Sequence, residues 1–352
     1  MPLQANEVIQ MRMLGGVGAM RPASFFVRAL VAIFSVVGVA ITLSDAGAQA
    51  RTNAPRVGIL SFGTAPAGTD PDPDRGVRQG LRELGYVEER NIFIERRYAD
   101  GKPDLLAAQA AELVRLKVDV ILAGGPAPRE AARMATSSIP IVTISGSDPV
   151  QEGWAESLAN PGGNITGLTV TFPGLDLKGL EILKEAFPAI TRVAVLTEFR
   201  PDERFKEERD AAARRLGLEL QFIEVPREDD IDRAFTIARQ GHAQALIAMA
   251  TNVVVSNRSR LAALAAADRM LSISEFPLMA QAGFLLTYGA DLDDLGRRSI
   301  AQIDKILKGA RAGALPIERP TKFRLIVNLK AAKALGLTIP RSLLLRADEV
   351  IQ

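Results

Sequence analysis

Apolar and polar positions alternate with two different periods from Arg56 to the end of the chain. Short apolar runs rich in β-branched residues, such as 118–122 and 139–144, stop at Gly, Pro or Ser and predict buried strands. Between these two runs, residues 128–136 are rich in Ala, Arg, Glu and Met, which favour a helix. Residues 118–150 therefore predict two parallel strands joined by a helix.

The same alternation of strand-like and helix-like segments continues through the rest of the chain. The predicted strands cover residues 56–61, 91–98, 118–122, 139–144, 193–197, 218–225, 245–250, 271–276, 283–289 and 323–328, and a further apolar run lies at 168–172. The predicted helices cover residues 74–84, 103–116, 128–136, 175–187, 202–216, 229–239, 254–270, 291–307 and 329–335. This alternation predicts an α/β fold in which helices cover parallel sheets. Because the carboxyl ends of parallel strands open onto one crevice, we expect a ligand to bind at those ends.

A turn-rich segment, NPGGNITG at 160–167, separates two similar alternating halves. We interpret it as a crossing between two lobes. The predicted N-terminal lobe comprises residues 54–167 together with about 290–318, and the predicted C-terminal lobe comprises residues 168–289. Residues 319–352 are predicted to form a C-terminal segment that packs back on the lobes.

The first fifty residues have a different pattern from the rest. Arg21 and Arg28 precede an uncharged apolar run at 29–43, and Ala48-Gln49-Ala50 matches a small-x-small cleavage site. This pattern predicts a signal peptide with an upstream extension, cleaved after Ala50, and therefore a periplasmic protein. The alternative is an uncleaved anchor, but the run is shorter than the about 20 residues that span a bilayer. We expect the mature protein not to span the membrane.

Composition narrows the chemistry that this chain can perform. Its 352 residues are enough for two domains, and the formal net charge of +2, without a basic stripe, gives no indication of nucleic-acid binding. The absence of cysteine excludes disulfides, thiolate metal sites and a cysteine nucleophile. The one histidine, His242, lies between a predicted helix and a predicted strand, where we expect a solvated residue at a helix end.

Catalytic motifs are absent from the sequence. It contains no G-x-S-x-G elbow, no phosphate-binding G-x-x-x-x-G-K-[ST] loop, no H-E-x-x-H, and no G-x-G-x-x-G after the first strand. We therefore expect a protein that is not an enzyme and holds no metal or cofactor. A pair of carboxylates meeting in a cleft is the catalytic alternative that composition leaves open.

The residues at the carboxyl ends of the predicted strands are the candidates for ligand binding. Hydroxyls and backbone N–H groups suit a carboxylate, an acid such as Asp148 or Asp291 suits an ammonium group, and aromatic faces suit an apolar part. The candidates are Ser61, Phe62, Gly124, Gly125, Ser145 and Asp148 in the first half, Thr197, Phe199, Thr251, Asn252 and Phe276 in the second, and Tyr288 and Asp291 near the return crossing. Glu275 belongs to the wider set of strand-end residues.

Several separated segments together resemble one known family. They are GYVEERNIFIE at 85–95, YADG at 98–101, VDVILAGG at 118–125, IPIV at 139–142, SDPV at 147–150, NPGGNITG at 160–167, PTKFRLIVNLK at 320–330 and LLLRADEVI at 343–351. In this order they resemble the ABC transporter substrate-binding proteins of the tryptophan/tyrosine uptake type. The resemblance covers the chain from about residue 56 to its C-terminus.

The resemblance implies a type I periplasmic-binding-protein fold, with two flavodoxin-like lobes and a ligand cleft between them. It also implies a small-molecule ligand, such as an aromatic amino acid or a related compound, and delivery of the loaded protein to an ABC permease with its ATPase. A sensor that feeds a signalling receptor is an alternative with the same fold. An exported carboxylate-dependent enzyme is a further alternative.

Overall fold

The computed structural model describes residues 54–65, 74–146, 148–170, 174–198, 200–249 and 251–352, which belong to one compact unit. The predicted signal peptide at 1–50 lies outside the described residues. Within these ranges, no helix has both the length and the apolar character needed to cross a bilayer.

Strands and helices alternate along the described chain. The strands are β1 (Arg56–Ser61), β2 (Phe93–Tyr98), β3 (Val120–Gly124), β4 (Ile141–Ser145), β5 (Ile165–Thr169), β6 (Arg192–Thr197), β7 (Glu219–Glu224), β8 (Ala245–Ala248), β9 (Leu271–Ser274), β10 (Leu286–Ala290), β11 (Phe323–Asn328) and β12 (Glu349–Ile351). The helices are α1 (Arg75–Glu83), α2 (Pro103–Arg115), α3 (Pro126–Ala135), α4 (Leu175–Ala186), α5 (Glu203–Arg215), α6 (Ile231–Gln240), α7 (Asn252–Ser256), α8 (Arg258–Ala267), α9 (Pro277–Gln281), α10 (Leu292–Leu307), α11 (Leu329–Leu335) and α12 (Arg341–Arg346).

The first sheet has five parallel strands in the order β2-β1-β3-β4-β5. Helices α1 and α10 cover one face, where Val77 and Ile300 belong to the same buried cluster as Val57 of β1. Helices α2 and α3 cover the opposite face, where Leu113 and Ala132 pack in a second cluster. Helix α10 therefore belongs with the first sheet although it follows β10 in the chain.

The second sheet has seven strands in the order β12-β11-β10-β9-β8-β6-β7. All its pairs are parallel except β10 with β11. Strands β6 to β10 repeat the arrangement of β1 to β5, because in both sheets the order by appearance is 2-1-3-4-5, as in flavodoxin-like folds. The predicted α/β fold with two parallel-dominated sheets is confirmed.

The chain passes between the two sheets at their carboxyl edges. β5 leads toward α4, β10 leads into α10, and residues 319–322 return to β11. The second and third connections are joined by a hydrogen bond from Asp291 N to Lys322 O of 2.9 Å. A small apolar cluster joins the same edges, with Leu168 from β5, Ala290 from β10 and Leu295 from α10. The carboxyl edges of the two sheets therefore border the same cleft.

The structure corrects the prediction around residue 167. Strand β5 covers Ile165–Thr169, so it begins inside the turn-rich segment at 160–167 and includes the start of the apolar run at 168–172, of which residues 171 and 172 lie outside the described residues. Gly167 is needed there for a close approach and not for a turn, since an added Cβ would lie 2.0 Å from the carbonyl oxygen of Thr143 in β4. The predicted limit between the lobes at 167/168 falls within this strand, and the domain limits stay predictions.

The helix predicted at 254–270 is also wrong. The structure has two helices, α7 and α8, separated by Asn257. The Asn257 side-chain amide donates to the carbonyl oxygen of Val253 at 3.0 Å, so it satisfies a group at the end of α7. The short helix α9, which starts at Pro277, has only five residues and gave no periodic signal. The helix predicted to follow Asp291 is confirmed as α10.

Several helices end in a residue with left-handed backbone geometry. Gly85 and Gly217 have φ of 79° and 67°, as expected for glycine after a helix, whereas Lys117, His242 and Arg269 adopt φ of 53°, 54° and 55° at equivalent turns. The His242 side chain is exposed, as expected for a solvated residue at a helix end. A residue with a Cβ is strained in this conformation.

We expect His242→Gly to stabilise the protein by about 0.5–1 kcal/mol, because glycine relieves the left-handed strain at some cost in unfolded-state entropy. Urea unfolding measures the change. His242→Ala is the matched control, since it removes the imidazole and keeps the Cβ. An equal gain in both variants would contradict the backbone explanation.

Candidate ligand-binding site

The strand order of each sheet defines where a ligand site is expected. The order reverses between β1 and β3 in the first sheet and between β6 and β8 in the second. In sheets of this type, ligands bind outside the carboxyl ends of the strands at the reversal. Ser61 and Gly124 end β1 and β3, while Thr197 ends β6 and Met249 follows β8.

Four side chains form a row across the carboxyl edge of the second sheet: Thr197, Met249, Glu275 and Tyr288. The preceding residues are paired in register, Leu196 with Ala248, Ala248 with Ser274, and Ser274 with Thr287. The residues two positions earlier all point into one buried cluster; these are Val195, Ile247, Ile273 and Leu286. Because side chains alternate along a strand, the four residues lie at one level and on the same face. We call them the edge row.

Glu275 is the acidic member of the edge row. Among the described residues, none forms a hydrogen bond or ion pair with its carboxylate. Burial, and to a smaller extent the charge of Asp176, raise the pKa of Glu275 to about 7, and Arg209 opposes the shift. Asp176 is itself paired with Arg209, whose Nε lies 2.8 Å from Oδ2. Of the three residues Glu275, Asp176 and Arg209, Glu275 is therefore the one whose charge has no partner of opposite sign.

Thr197 lies at the reversal of the second sheet and is 6% exposed. Within the part of the chain that the structure describes, its Oγ1 has no hydrogen-bond partner. A buried hydroxyl left in this state costs about 1–3 kcal/mol. Strand β8 separates Thr197 from Glu275, so the edge row offers a polar ligand two separate unpartnered groups, a hydroxyl and a carboxylate.

The carboxyl edge of the first sheet presents mostly backbone and small side chains. Ser61 and Phe62 are half-buried and Gly124 is exposed. Gly125 has φ of 105° at the start of α3, and its N–H donates to Ile144 O at 2.8 Å. Pro126 and Pro128 lack an N–H, so the first turn of α3 offers fewer donors to a carboxylate than the sequence-based expectation assumed.

Ser145 is buried behind this edge. Its Oγ lies 3.2 Å from Nη1 of Arg129, a residue of α3 that is itself 4% exposed. Arg129 also pairs with Glu152 at 2.6 Å and lies over the Trp154 ring, 4.9 Å from its centre. This contact ties the end of β4 to α3. Sequence reasoning did not single out Arg129, because an arginine in a predicted amphipathic helix is normally solvated.

Two predicted acids have local roles in the structure. The Oδ1 of Asp148 accepts the N–H groups of Val150 and Gln151 at 2.9 and 3.0 Å. Asp291 caps α10 by accepting the N–H groups of Asp293 and Asp294. Their contact with a ligand stays a prediction, and neither carboxylate is as free of partners as Glu275.

The remaining predicted residues have varied positions. Thr251 caps α7 through Val254 N at 3.2 Å, and Asn252 is the first residue of that helix. Phe276 packs beside the apolar cluster at the crossings. Tyr288 stacks on Phe323, with ring centres 6.1 Å apart. Phe199 lies outside the described residues.

The sequence-based candidates do not include Met249, and they include Glu275 only in the wider set of strand-end residues. Both directly follow a strand, a signal that the sequence does provide. What it could not provide is the register that brings them beside Thr197 and Tyr288. Over the described ranges, no group of three or more His, Asp or Glu side chains is arranged to hold a metal ion.

Comparison with known proteins identifies the family. Residues 68–351 match the model of a family described as ABC transporter substrate binding protein. The chain belongs to this family. A curated relative, the tyrosine-binding protein of Clostridioides difficile strain R20291, is 25% identical over 266 residues, which cover 75% of this chain and 76% of the relative.

Solved structures of ABC substrate-binding proteins and related chains share the fold. A conserved domain protein from Vibrio cholerae O1 biovar eltor is 25% identical with a TM-score of 0.73, and the match covers 85% of this chain and 100% of that chain. An ABC domain from Streptococcus pneumonia in complex with L-Trp is 24% identical, with the same TM-score and the same coverage. The predicted type I periplasmic-binding-protein fold and the function as the solute-binding component of an ABC importer are confirmed. Proteins of this family are extracytoplasmic; cleavage after Ala50 stays a prediction.

Proposed function

We propose that this substrate-binding protein captures an aromatic amino acid in the cleft between its two sheets and delivers it in the periplasm to an ABC permease with its ATPase. The observation that carries the proposal is the edge row, where an unpartnered carboxylate, Glu275, lies next to the thioether of Met249 and the ring of Tyr288. An aromatic amino acid combines the two groups that such a surface complements, an ammonium group and a flat apolar side chain.

Aromatic and sulfur-containing side chains support the apolar part of the proposal. Tyr288 stacks on Phe323 with an angle of 19° between the rings, and Phe276 follows β9 immediately after Glu275. Thioether and aromatic groups contact planar rings favourably. The curated relative that is named a tyrosine-binding protein, 25% identical to this chain, supports the same class of ligand.

Thermal unfolding of the protein, refolded from denaturant to remove carried-over ligand, tests the proposal. The panel contains L-tyrosine, L-tryptophan and L-phenylalanine, with L-leucine, L-glutamate and a neutral sugar as controls. A ligand at 100 times its dissociation constant adds about 2.7 kcal/mol to the free energy of unfolding. We expect the largest rise in melting temperature with an aromatic amino acid, and recovery of the ligand unchanged. A larger rise with the sugar or with L-glutamate would overturn the ligand assignment, and turnover would favour the enzyme alternative.

A further inference from the structure

We propose that Glu275 accepts the protonated amine of the solute, so that this end of the cleft selects solutes by their ammonium group. The inference rests on the proposed function, because it needs a solute bound at the carboxyl edges of the sheets. It names one carboxylate out of several at those edges and gives it a role that the other acids do not share.

The backbone at Glu275 is fixed on both sides. The hydroxyl of Ser274 donates to Ala248 O at 2.7 Å, which ties the residue before Glu275 to β8. On the other side, an added Cβ at Gly289 would lie 1.6 Å from the carbonyl oxygen of Glu275, so β10 approaches it as closely as only a glycine allows. Glu275 is thus held between two strands, and a site on such elements has a well-defined geometry.

The charges around Glu275 favour a cation. Asp176 at the start of α4 and Arg209 of α5 are the charged groups that act on it, and they neutralise each other through hydrogen bonds of 2.8 and 3.3 Å. The Arg209 guanidinium also lies 3.6 Å from the centre of the Phe205 ring, which holds it in place. Together the three groups carry one negative charge when Glu275 is ionised. A single ammonium group makes the set neutral.

The Glu275 carboxylate on the edge row is the group that suits an ammonium. An ammonium has three N–H donors and no acceptor. The Glu275 carboxylate and the Thr197 Oγ1 both lack a partner among the described residues, and Oγ1 is an acceptor as well as a donor. Burial raises the pKa of Glu275 because it removes water from around the ionised form. A bound ammonium removes that penalty and lowers the pKa again.

Isothermal titration calorimetry with matched probes tests the inference. The probes are L-tyrosine, tyramine, which keeps the amine, and 3-(4-hydroxyphenyl)propanoate, which lacks it. We expect the wild-type protein to bind L-tyrosine about 100-fold more tightly than the propanoate, and Glu275→Gln to lose about 100-fold in affinity for L-tyrosine while changing the propanoate by less than about 3-fold.

Glu198→Gln is the matched control. Glu198 follows Thr197 directly and burial raises its pKa as well, but it lies beyond the end of β6 and is not a member of the edge row. We expect this variant to keep its affinity for L-tyrosine. Thr197→Val, which preserves the shape of the side chain, is expected to weaken L-tyrosine binding about 10-fold. Melting temperatures of all variants without ligand show whether they fold.

The pH dependence provides a readout that a purely structural role would not change. Because the protonated amine binds ionised Glu275, affinity for L-tyrosine is expected to fall about tenfold per pH unit below pH 7 and to be flat above it until the amine of the ligand itself loses its proton. This dependence disappears in Glu275→Gln. Asp176, Arg209, Glu198 and Tyr288 are other titratable groups near the site, and all four remain in the variant.

The outcomes separate the inference from the proposed function. If the wild-type protein binds L-tyrosine and Glu275→Gln retains that affinity, the inference is wrong and the proposed function stands. If tyramine binds through Glu275 and L-tyrosine does not, the ammonium site stands and the amino-acid assignment fails. Preference for the propanoate, or no binding of either amine, overturns the inference.

Discussion

Gly76→Ala is expected to lower the free energy of unfolding by about 2–4 kcal/mol, the upper range for overpacking. Helices α1 and α10 are in contact through their backbones at this point, and an added Cβ at Gly76 would lie 2.1 Å from the carbonyl oxygen of Asp293. Gly80 and Gly296 repeat the close approach, with distances of 2.7 Å to Arg297 O and 3.1 Å to Val77 N. The obstacle is backbone, so no side-chain rotation can make room for the methyl group.

Gly179→Ala in α4 is the matched control for this prediction. An added Cβ there meets only the Cδ1 of Ile273, at an ordinary contact distance of 3.6 Å. Since alanine is the better helix former, this variant is expected to gain up to about 1 kcal/mol. Urea unfolding of both variants measures whether the free energy of unfolding falls in Gly76→Ala and rises in Gly179→Ala. Destabilisation by the same amount at both positions would contradict the close-packing explanation.

The fold could be predicted from the sequence because its signals are local. Each half of the chain alternates strand and helix, and the strand β1 and the helix after Asp291 lie where the pattern predicts them. The errors have physical causes. Gly167 resembles a turn glycine in sequence, but close approach to Thr143 places it inside a strand. The pattern of residues 292–307 shows an amphipathic helix and cannot show that it packs against α1 of the first sheet.

The candidate site was predictable in place but not in its chemistry. Strand ends are visible in the sequence, so Thr197 and Tyr288 could be named. An acid at a strand end can cap a turn, as Asp148 does, cap a helix, as Asp291 does, or remain without a partner, as Glu275 does. Which of these occurs depends on pairings between residues far apart in the chain, and these are set by tertiary structure.

Glu275→Gln is expected to raise the stability of the ligand-free protein by about 1–3 kcal/mol at pH 8, with little change at pH 4. Burial raises the pKa of Glu275 to about 7 from its ordinary value of 4.5, so the folded state disfavours the ionised carboxylate. A group of this kind is most favourable below its unfolded pKa, and its contribution is lost as pH rises through the folded pKa. The difference in the free energy of unfolding between variant and wild type therefore grows between about pH 4.5 and pH 7 and stays constant above that range. Because the side chain is partly exposed, the expected size is below the full value of the shift.

Urea unfolding of both proteins at pH 4, 6 and 8 checks this dependence, and an equal difference at all three values would show that titration of Glu275 is not its cause.

The same comparison with saturating L-tyrosine connects stability to binding. Without ligand the glutamine variant is expected to be the more stable protein at pH 8, and with ligand the wild-type protein is expected to overtake it, because only the ionised carboxylate binds the amine. A residue that lowers the stability of the empty protein and raises that of the loaded one is what a solute-binding cleft requires, since the free energy given up in the empty state is returned when the solute binds.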